Sequence, residues 1–279
     1  MEILITGTSG NVGQEIIKYF VPNESQIVYQ ATRNRNKLKE NELFFDFEDF
    51  PTTAKSLEGI DIVFLLRPPH ISDVNTYFKP LIHIFKEKQV RHIIFLSVQG
   101  ADKVSFIPHA KIEKMIIESG IAYTFIRPSY FMQNLSTTLL PDIKNHSKIF
   151  LPAGKAKFLW IDVADVGKAI ACILANSVLH QDKAYTITGK ELLDFSEVSH
   201  LLSQVLERKI IFESPNLLHF FMQKKKEGVA SSFILVMIML HYLPRFQKTP
   251  LISNDFERIT HTAPMPLKDF IHRNLNLWK

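Results

Sequence analysis

The sequence predicts an α/β fold, a doubly wound parallel sheet with a smaller, mostly helical lobe for a substrate. Short apolar strands alternate with amphipathic helical segments through the first half of the chain. A glycine-rich turn joins the first strand to the first helix, and the alternation loosens after about residue 130. With 279 residues, 46% of them hydrophobic and 22% charged, the chain can build one large core and a smaller appended unit.

Six strands are predicted in the first half, and three of them are nearly continuous apolar runs. Such runs are typical of strands that helices cover on both faces. Helical segments over 11–20 and 77–90 separate them, as parallel strands require. We therefore expect a ligand at the carboxyl ends of the strands. The predicted strands are 2–6, 26–31, 43–47, 61–66, 92–98 and 123–128.

Composition argues against several classes of protein. The net charge is +5, but the 33 basic and 28 acidic residues are interspersed, so no basic face for nucleic acid is predicted. The closest two of the eleven histidines are nine residues apart, so no metal site is predicted. Neither a G-x-S-x-G elbow nor a phosphate-binding P-loop occurs, which argues against hydrolases and nucleotide triphosphatases.

The single cysteine and the first residues bear on location. Cys172 cannot form an internal disulfide, and the chain opens on a core-type strand without a cationic leader. The most hydrophobic stretch, 231–243, is too short to span a membrane and contains a histidine. We interpret it as a buried helix or the wall of an apolar pocket. A cytoplasmic protein with no membrane partner is the expectation.

The stretch "LITGTSGNVGQEI" (4–16) runs from an apolar strand through three glycines into a helix. Gly7 is expected to make the tight turn, Gly10 to let phosphate oxygens approach, and Gly13 to let helix and strand pack closely. This arrangement favours a dinucleotide pyrophosphate at the helix N-terminus; the alternative is a turn whose glycines have only a structural use. The predicted cofactor contacts here are Gly7, Thr8, Ser9, Gly10, Asn11, Val12 and Gly13.

The end of the second strand indicates which dinucleotide binds. A site for NAD(H) places Asp or Glu there, whereas this chain has Arg33. A guanidinium suits a 2′-phosphate, so NADP(H) is predicted in preference to NAD(H), with Asn34 and Lys37 as further contacts. The alternative is a solvated basic loop.

Later strand ends supply further candidates for the cofactor. Asp46 and Phe47 lie at the end of the predicted third strand and are expected to flank the adenine. Leu66 ends the predicted fourth strand, and Arg67 follows it. The guanidinium of Arg67 meets a phosphate or an acidic substrate in this interpretation, or only caps its loop. A nucleotide-binding domain is predicted over 1–150, with later sheet strands contributed from about 155–190, and a substrate-binding lobe over 191–279.

Several motifs along the chain are shared with a known family. They are "TGTSGNVG" (6–13), "ATRN" (31–34), "HAKIEKMIIESGIAYTFIRPSYFMQNL" (109–135), "FLWIDVADVGKAIACIL" (158–174), and the segments 184–203 and 263–271. In these motifs the sequence resembles the NmrA-like branch of the atypical short-chain dehydrogenase/reductase superfamily. The resemblance implies a Rossmann-type fold over nearly the whole chain. Family members include quinone and other NADPH-dependent reductases, proteins labelled as sugar-nucleotide epimerases, and cofactor sensors without turnover.

The family's catalytic residues are only partly present. Typical enzymes of the superfamily use a serine and a Tyr-x-x-x-Lys dyad, and counting back from Glu113 puts His109 at the lysine and Ser105 at the tyrosine. Ser97 retains the serine. Without the dyad, oxidation of secondary alcohols and sugar epimerisation are not favoured. His109 and Ser97 are the candidate catalytic residues and candidate cofactor contacts; the alternative for His109 is a structural histidine.

The motif "RPSYFMQN" supplies the remaining candidates. The resemblance implies that the chain passes the nicotinamide at Pro128, with Tyr130 beside it. Phe131 and Asn134 are candidate substrate-pocket residues; the alternative for Phe131, ordinary core packing, is favoured over the pocket.

Two hypotheses follow for the function. The first is an NADPH-dependent reductase of small apolar quinone or enone/carbonyl acceptors, in which the cofactor supplies the hydride. The alternative is a non-catalytic NADP(H) sensor, or a sugar-nucleotide epimerase-like protein by family label. The expected partners are a small-molecule substrate and a possible protein partner or homodimer.

Overall fold

The computed structural model describes residues 1–36 and 38–279. Lys37, a predicted cofactor contact, lies outside the described residues. The chain divides into two compact units. The first comprises Met1–Pro128, Val163–Ile187 and Asn254–Ala263, and the second comprises Ser129–Asp162, Thr188–Ser253 and Pro264–Lys279.

The elements are numbered in chain order. The strands are β1 (Glu2–Ile5), β2 (Ile27–Thr32), β3 (Glu42–Phe44), β4 (Ile62–Leu66), β5 (His92–Leu96), β6 (Ala122–Pro128), β7 (Tyr130–Phe131), β8 (Lys148–Phe150), β9 (Phe158–Ile161), β10 (Lys183–Ile187), β11 (Leu192–Leu193) and β12 (Ile211–Glu213). The helices are α1 (Asn11–Tyr19), α2 (Phe50–Ser56), α3 (Val74–Glu87), α4 (Pro108–Ser119), α5 (Leu140–His146), α6 (Val163–Ala175), α7 (Phe195–Leu206), α8 (Leu217–Lys226), α9 (Ser231–Tyr242), α10 (Asp255–Thr260) and α11 (Leu267–Arg273).

The first unit is built on a seven-stranded sheet in the order β10-β6-β5-β4-β1-β2-β3, with every neighbouring pair parallel. Leu4 of β1 belongs to a core cluster with Phe78 of α3 and Ile112 of α4. Because side chains alternate across a strand, the fully buried Ile3 and Ile5 point to the opposite face. A central strand buried on both faces requires helices on both sides. The predicted doubly wound, Rossmann-type α/β fold is confirmed.

Some element boundaries differ from the prediction. β3 ends at Phe44 and β5 at Leu96, three and two residues before the predicted ends of these strands. α3 begins at Val74, three residues earlier than predicted. The Asp73 carboxylate caps it by accepting the N–H groups of Asn75 and Thr76, which is a common way for a helix to begin.

The second unit has its own core and two small sheets. One sheet has the order β11-β9-β7 and the other pairs β12 with β8. The core contains Trp160, Phe195 and Trp278. The predicted domain limits at 150 and 191 differ from this division, since β7 and β8 pair with strands of the second unit and α10 lies in the first.

Helix α9 carries an unusual amount of exposed apolar surface. Only Ile234, Met237 and His241 are buried, so the interpretation of this stretch as a buried helix was wrong. Across the described residues, no helix has the length and apolar character that crossing a membrane would need. The exposed large apolar side chains of α9 are Phe233, Leu235, Val236, Met239 and Leu240.

Candidate functional site

The three glycines of the turn after β1 have different structural roles. Gly7 has φ +71°, and its carbonyl accepts the N–H of Gly10 at 2.9 Å, which closes a tight turn. A Cβ on Gly13 would lie 2.2 Å from the Gly7 carbonyl oxygen, so only glycine lets α1 start so close to the turn. Gly10 has an ordinary φ of −94°, and an added Cβ would meet the Gly7 oxygen at 3.3 Å. The fold demands Gly7 and Gly13 more strictly than it demands Gly10.

The N-terminus of α1 is uncapped. Gly10 is the N-cap and has no side chain to bond the first amides of the helix. These amides and the helix dipole therefore favour an anion. Gly10 and Ser9 are exposed, and the carbonyl of Ser9 accepts the Gln14 side-chain amide at 3.2 Å. The turn fits the pyrophosphate of a dinucleotide, because nothing larger than hydrogen stands at its centre.

The basic loop after β2 contains one arginine with a partner and one without. Arg35 forms an ion pair with Asp49, and its guanidinium lies 4.5 Å from the centre of the Phe44 ring. Arg33 is exposed and, within the described part of the chain, has no hydrogen-bond or ion-pair partner. The side chain of Asn34 accepts the N–H of Asn36 at 3.1 Å and so stabilises the loop. Arg33 is therefore the guanidinium that a ligand can reach without breaking a contact.

The two candidates after β3 are already engaged in the protein. The Asp46 carboxylate accepts the N–H of Glu48 at 3.0 Å. Phe47 is only 9% exposed and packs against Phe45 and Phe78, with ring centres 5.4 and 5.2 Å away. Most of the Phe47 surface lies in the core, and its contact with an adenine stays a prediction.

Hydrogen bonds hold the carboxyl ends of the central strands together. The Leu66 N–H donates to the hydroxyl of Thr6 at 2.9 Å, and a Leu66 methyl lies 3.3 Å from where a Gly7 Cβ would be. The Pro128 carbonyl accepts the N–H of Gln99 at 3.0 Å. Gly7, Leu66 and Pro128, predicted separately, thus lie along one edge of the sheet.

Arg67 and His109 meet beyond the end of β4. The Arg67 Nε donates to His109 Nε2 at 3.4 Å, and Nη1 donates to the carbonyls of Pro68 and Ile71. Burial, and then the charge of Arg67, lowers the pKa of His109 to about 3. His109 is therefore neutral at physiological pH and accepts at Nε2. This pairing was not predicted.

Ser97 is tied into a buried charged cluster. Its hydroxyl donates to Glu113 Oε1 at 2.5 Å, and the carboxylate also accepts Arg127 Nε at 3.0 Å and Nη2 at 2.6 Å. Ser97 is 2% exposed and Glu113 is 4% exposed. The hydroxyl proton of Ser97 is thus engaged in a hydrogen bond to Glu113. Ser105, which the sequence motifs predict at the tyrosine position of the dyad, is exposed.

The last candidates belong to the second unit. The ring of Tyr130 packs among Phe158, Trp160 and Phe195, with ring centres 4.8–5.9 Å apart. Its hydroxyl lies 2.9 Å from Nε2 of His241. Burial raises the pKa of Tyr130. Phe131 and Asn134 are partly buried in the same unit, and their contact with a substrate stays a prediction.

Comparison with known proteins identifies the family of the chain. A model of the NmrA-like family matches residues 1–233, well over half of the chain. The chain belongs to the NmrA-like family. The resemblance inferred from the sequence motifs is confirmed.

Relatives in this family have diverse names. Prestalk A differentiation protein A of Dictyostelium discoideum is 32% identical over 221 residues, which cover 76% of this chain and 72% of that protein. The NAD(P)H azoreductase of Xenophilus azovorans is 28% identical over 219 residues, 75% of each chain. The structure of the Escherichia coli NADPH-dependent quinone oxidoreductase complexed with NADPH superposes with a TM-score of 0.87 at 19% identity, over 98% of this chain and all of that one. At that identity the superposition supports the fold alone.

Proposed function

We propose that this chain is an NADPH-dependent reductase of small, apolar quinone or enone/carbonyl acceptors. One observation carries the cofactor part: the uncapped start of α1 behind a turn whose centre, Gly10, has no side chain. The names of two comparison proteins, an NAD(P)H azoreductase and an NADPH-dependent quinone oxidoreductase, support it.

The preference for NADP(H) rests on the end of β2. Thr32 and Arg33 stand where a carboxylate would hold the ribose of NAD(H). A carboxylate there would repel a 2′-phosphate, whereas the unpaired guanidinium of Arg33 attracts it. The Gly7–Gly13 turn would hold the pyrophosphate, and Leu66 and Pro128 would follow the cofactor along the sheet edge.

The class of acceptor follows from the absence of a free proton donor at the two candidate catalytic residues. The bound nicotinamide would supply a hydride. His109, with a pKa of about 3, holds no extra proton at neutral pH, and the Ser97 proton is engaged with Glu113. A quinone or an enone can take the hydride first and a proton from water afterwards.

The second candidate is a non-catalytic NADP(H) sensor. The missing Tyr-x-x-x-Lys dyad favours it. The relative that is 32% identical also supports it, because its name, a differentiation protein, specifies no reaction.

Oxidation of NADPH by the purified protein, followed at 340 nm over a panel of quinones and enones, tests the proposal. Calorimetry of NADPH binding runs in parallel, with Gly10→Asp as the cofactor-free control. A reductase gives turnover that the Gly10→Asp variant lacks. Tight NADPH binding without turnover of any acceptor would establish the sensor instead. If neither nicotinamide nucleotide binds at millimolar concentration, both hypotheses fail.

A further inference from the structure

Arg67 carries a partly buried positive charge that no carboxylate neutralises. Its partners are the carbonyls of Pro68, Pro69 and Ile71 and the neutral ring of His109. Within the described part of the chain it forms no ion pair with Asp or Glu. Burial lowers the pKa of Arg67, and no nearby acidic group opposes this effect. Withdrawing an unpaired charge from water is unfavourable, so a fold retains such a group where a ligand supplies the missing partner.

Two other partly buried or surface arginines near strand ends of this unit, Arg127 and Arg35, have carboxylate partners, whereas Arg33 is exposed to water. Arg127 forms an ion pair with Glu113 at 2.6 Å, and Arg35 forms one with Asp49. Arg67 differs from both because, within the described part of the chain, it has no carboxylate partner while being partly withdrawn from water.

The direction of the Arg67 side chain separates it from the pyrophosphate. In the sheet, β4 lies between β1, which leads into the glycine turn, and β5. Arg67 reaches His109 at the start of α4, and the His109 ring lies 6.0 Å from the ring of Phe95 on β5. The guanidinium is therefore turned to the β5 side, away from the glycine turn.

We propose that Arg67 binds the oxygen that becomes negative when the acceptor is reduced, and that it thereby selects neutral carbonyl acceptors over cationic ones. This inference rests on the proposed function and names its substrate class. With an enone, the hydride from the reduced nicotinamide forms a new C–H bond at the β-carbon. The C=C electron pair moves toward the carbonyl, whose oxygen becomes an enolate. The acceptor gains two electrons, the nicotinamide loses them, and water then supplies the proton.

Arg67 stabilises the oxyanion without giving up a proton, as a fixed positive charge does in a site of low polarity. A cationic acceptor, such as an iminium or a positively charged dye, loses its charge when it takes the hydride. A guanidinium beside it opposes binding and gains nothing in the transition state.

The hydrogen bond between Arg67 and His109 also accounts for a histidine at the position where the sequence motifs predict the family's lysine. A lysine at position 109 would bring a second positive charge close to the guanidinium. The neutral imidazole instead accepts a hydrogen bond from Arg67 and holds it in place. His109 is then a positioning residue, and Arg67 supplies the cation.

The test compares the wild type with Arg67→Gln and Arg67→Lys, and uses Arg35→Gln as a matched surface control. Three quantities are measured: the Kd for NADPH, kcat/KM for a neutral naphthoquinone and for a cationic triphenylmethane dye, and binding of 2,4-dinitrophenolate to the complex with NADP⁺. We expect Arg67→Gln to lower kcat/KM for the quinone by about 10²–10³-fold. It should also abolish phenolate binding and leave the Kd for NADPH within about twofold of wild type. Arg67→Lys should recover part of both losses, and turnover of the dye should not fall.

Two outcomes would overturn the inference. A rise in the Kd for NADPH as large as the loss of quinone turnover would make Arg67 a cofactor-phosphate ligand. Unchanged quinone turnover and phenolate binding would leave it a loop cap. Should the wild type turn over no acceptor, the proposed reductase function fails, yet phenolate binding still decides whether Arg67 forms an anion site. If Arg67→Gln does not fold, His109→Leu, which removes the acceptor that holds the guanidinium, should lower quinone turnover and phenolate binding in the same direction.

Discussion

The hydroxyl of Tyr130 donates a hydrogen bond to Nε2 of His241, with 2.9 Å between the two atoms. The direction is fixed because His241 Nδ1 lies 2.6 Å from the carbonyl of Met237, which can only accept. The imidazole therefore carries its proton on Nδ1. This contact joins β7 to the otherwise exposed helix α9.

Tyr130→Phe should lower the free energy of unfolding by about 1–3 kcal/mol, because it leaves the buried Nε2 of His241 without a donor. Chemical denaturation followed by circular dichroism measures the change. Tyr242→Phe, on the same helix, is the control and should change the stability much less. Equal effects of the two variants would contradict the assignment.

The same histidine makes stability depend on pH. Burial lowers the pKa of His241 from 6.5 to about 4 in the folded chain, so between these values the unfolded chain binds more protons. Stability should therefore fall as the pH drops from about 6.5 to 4, by up to about 3 kcal/mol for this residue. His92, with a pKa also lowered to about 4 by burial, adds to the trend. The free energy of unfolding of His241→Gln, measured by denaturation at several pH values, should change less over this window than that of the wild type. An equal pH dependence of the two proteins would rule out His241 as a source.

Gly10→Asp should separate folding from binding. Aspartate is a favourable N-cap, and the backbone of Gly10 (φ −94°, ψ 170°) suits it, so the melting temperature should stay the same or rise. The carboxylate would repel a pyrophosphate, so binding of NADPH should be lost in calorimetry. Gly10→Ser, which caps without charge, should weaken binding less. NADPH binding by Gly10→Asp with wild-type affinity would refute the phosphate assignment.

Gly13→Ala, in contrast to Gly10→Asp, should lower the stability of the fold itself. Its Cβ would lie 2.2 Å from the Gly7 carbonyl oxygen, so the backbone must move. We expect the free energy of unfolding to fall by about 1–3 kcal/mol, the usual cost of overpacking, even without nucleotide. A stable Gly13→Ala protein would show that the turn adapts more easily than its geometry suggests.

The sheet was predictable because its signal is local, whereas the contacts within the site are not. Val63 and Leu65 are completely buried in a strand whose apolar residues run on without interruption, and the sequence shows this directly. Arg67 and His109 are 42 residues apart on different elements, and Tyr130 and His241 are 111 apart. No periodicity relates such pairs. The early start of α3, by contrast, could have been found from Asp73, a typical N-cap residue.

The pairing of the strands in the second unit was not predictable for a related reason. β7 and β9 pair with each other in a sheet separate from the large one, although both are as apolar as its strands. Hydropathy predicts that a strand is buried but does not say which strand it pairs with. α9 shows the converse, since a helix with apolar residues all round has no periodicity to indicate which face is covered.

Arg33→Ala should weaken the binding of NADPH by about 1–3 kcal/mol and leave the binding of NADH nearly unchanged, because only NADPH carries the 2′-phosphate. Calorimetry with both nucleotides measures the difference. Arg35→Ala is the matched control: its guanidinium is held by Asp49 and Phe44, so NADPH affinity should change little. Equal losses for NADPH and NADH in Arg33→Ala would show that Arg33 does not recognise the phosphate.

Glu113 should stabilise the fold mainly through Arg127 and Ser97. Glu113→Ala leaves the Arg127 side chain, which is 15% exposed, with Asp102 at 3.7 Å as its one carboxylate partner among the described residues, and we expect a loss of about 3–5 kcal/mol. Ser97→Ala removes one hydrogen bond to a charged group and should cost about 1–3 kcal/mol. Because both changes remove the same bond, the double variant should cost less than the two singles together. Equilibrium denaturation of the four proteins gives the coupling. Strict additivity would mean that Ser97 does not act through Glu113, and its hydroxyl would then be free for the cofactor or the acceptor.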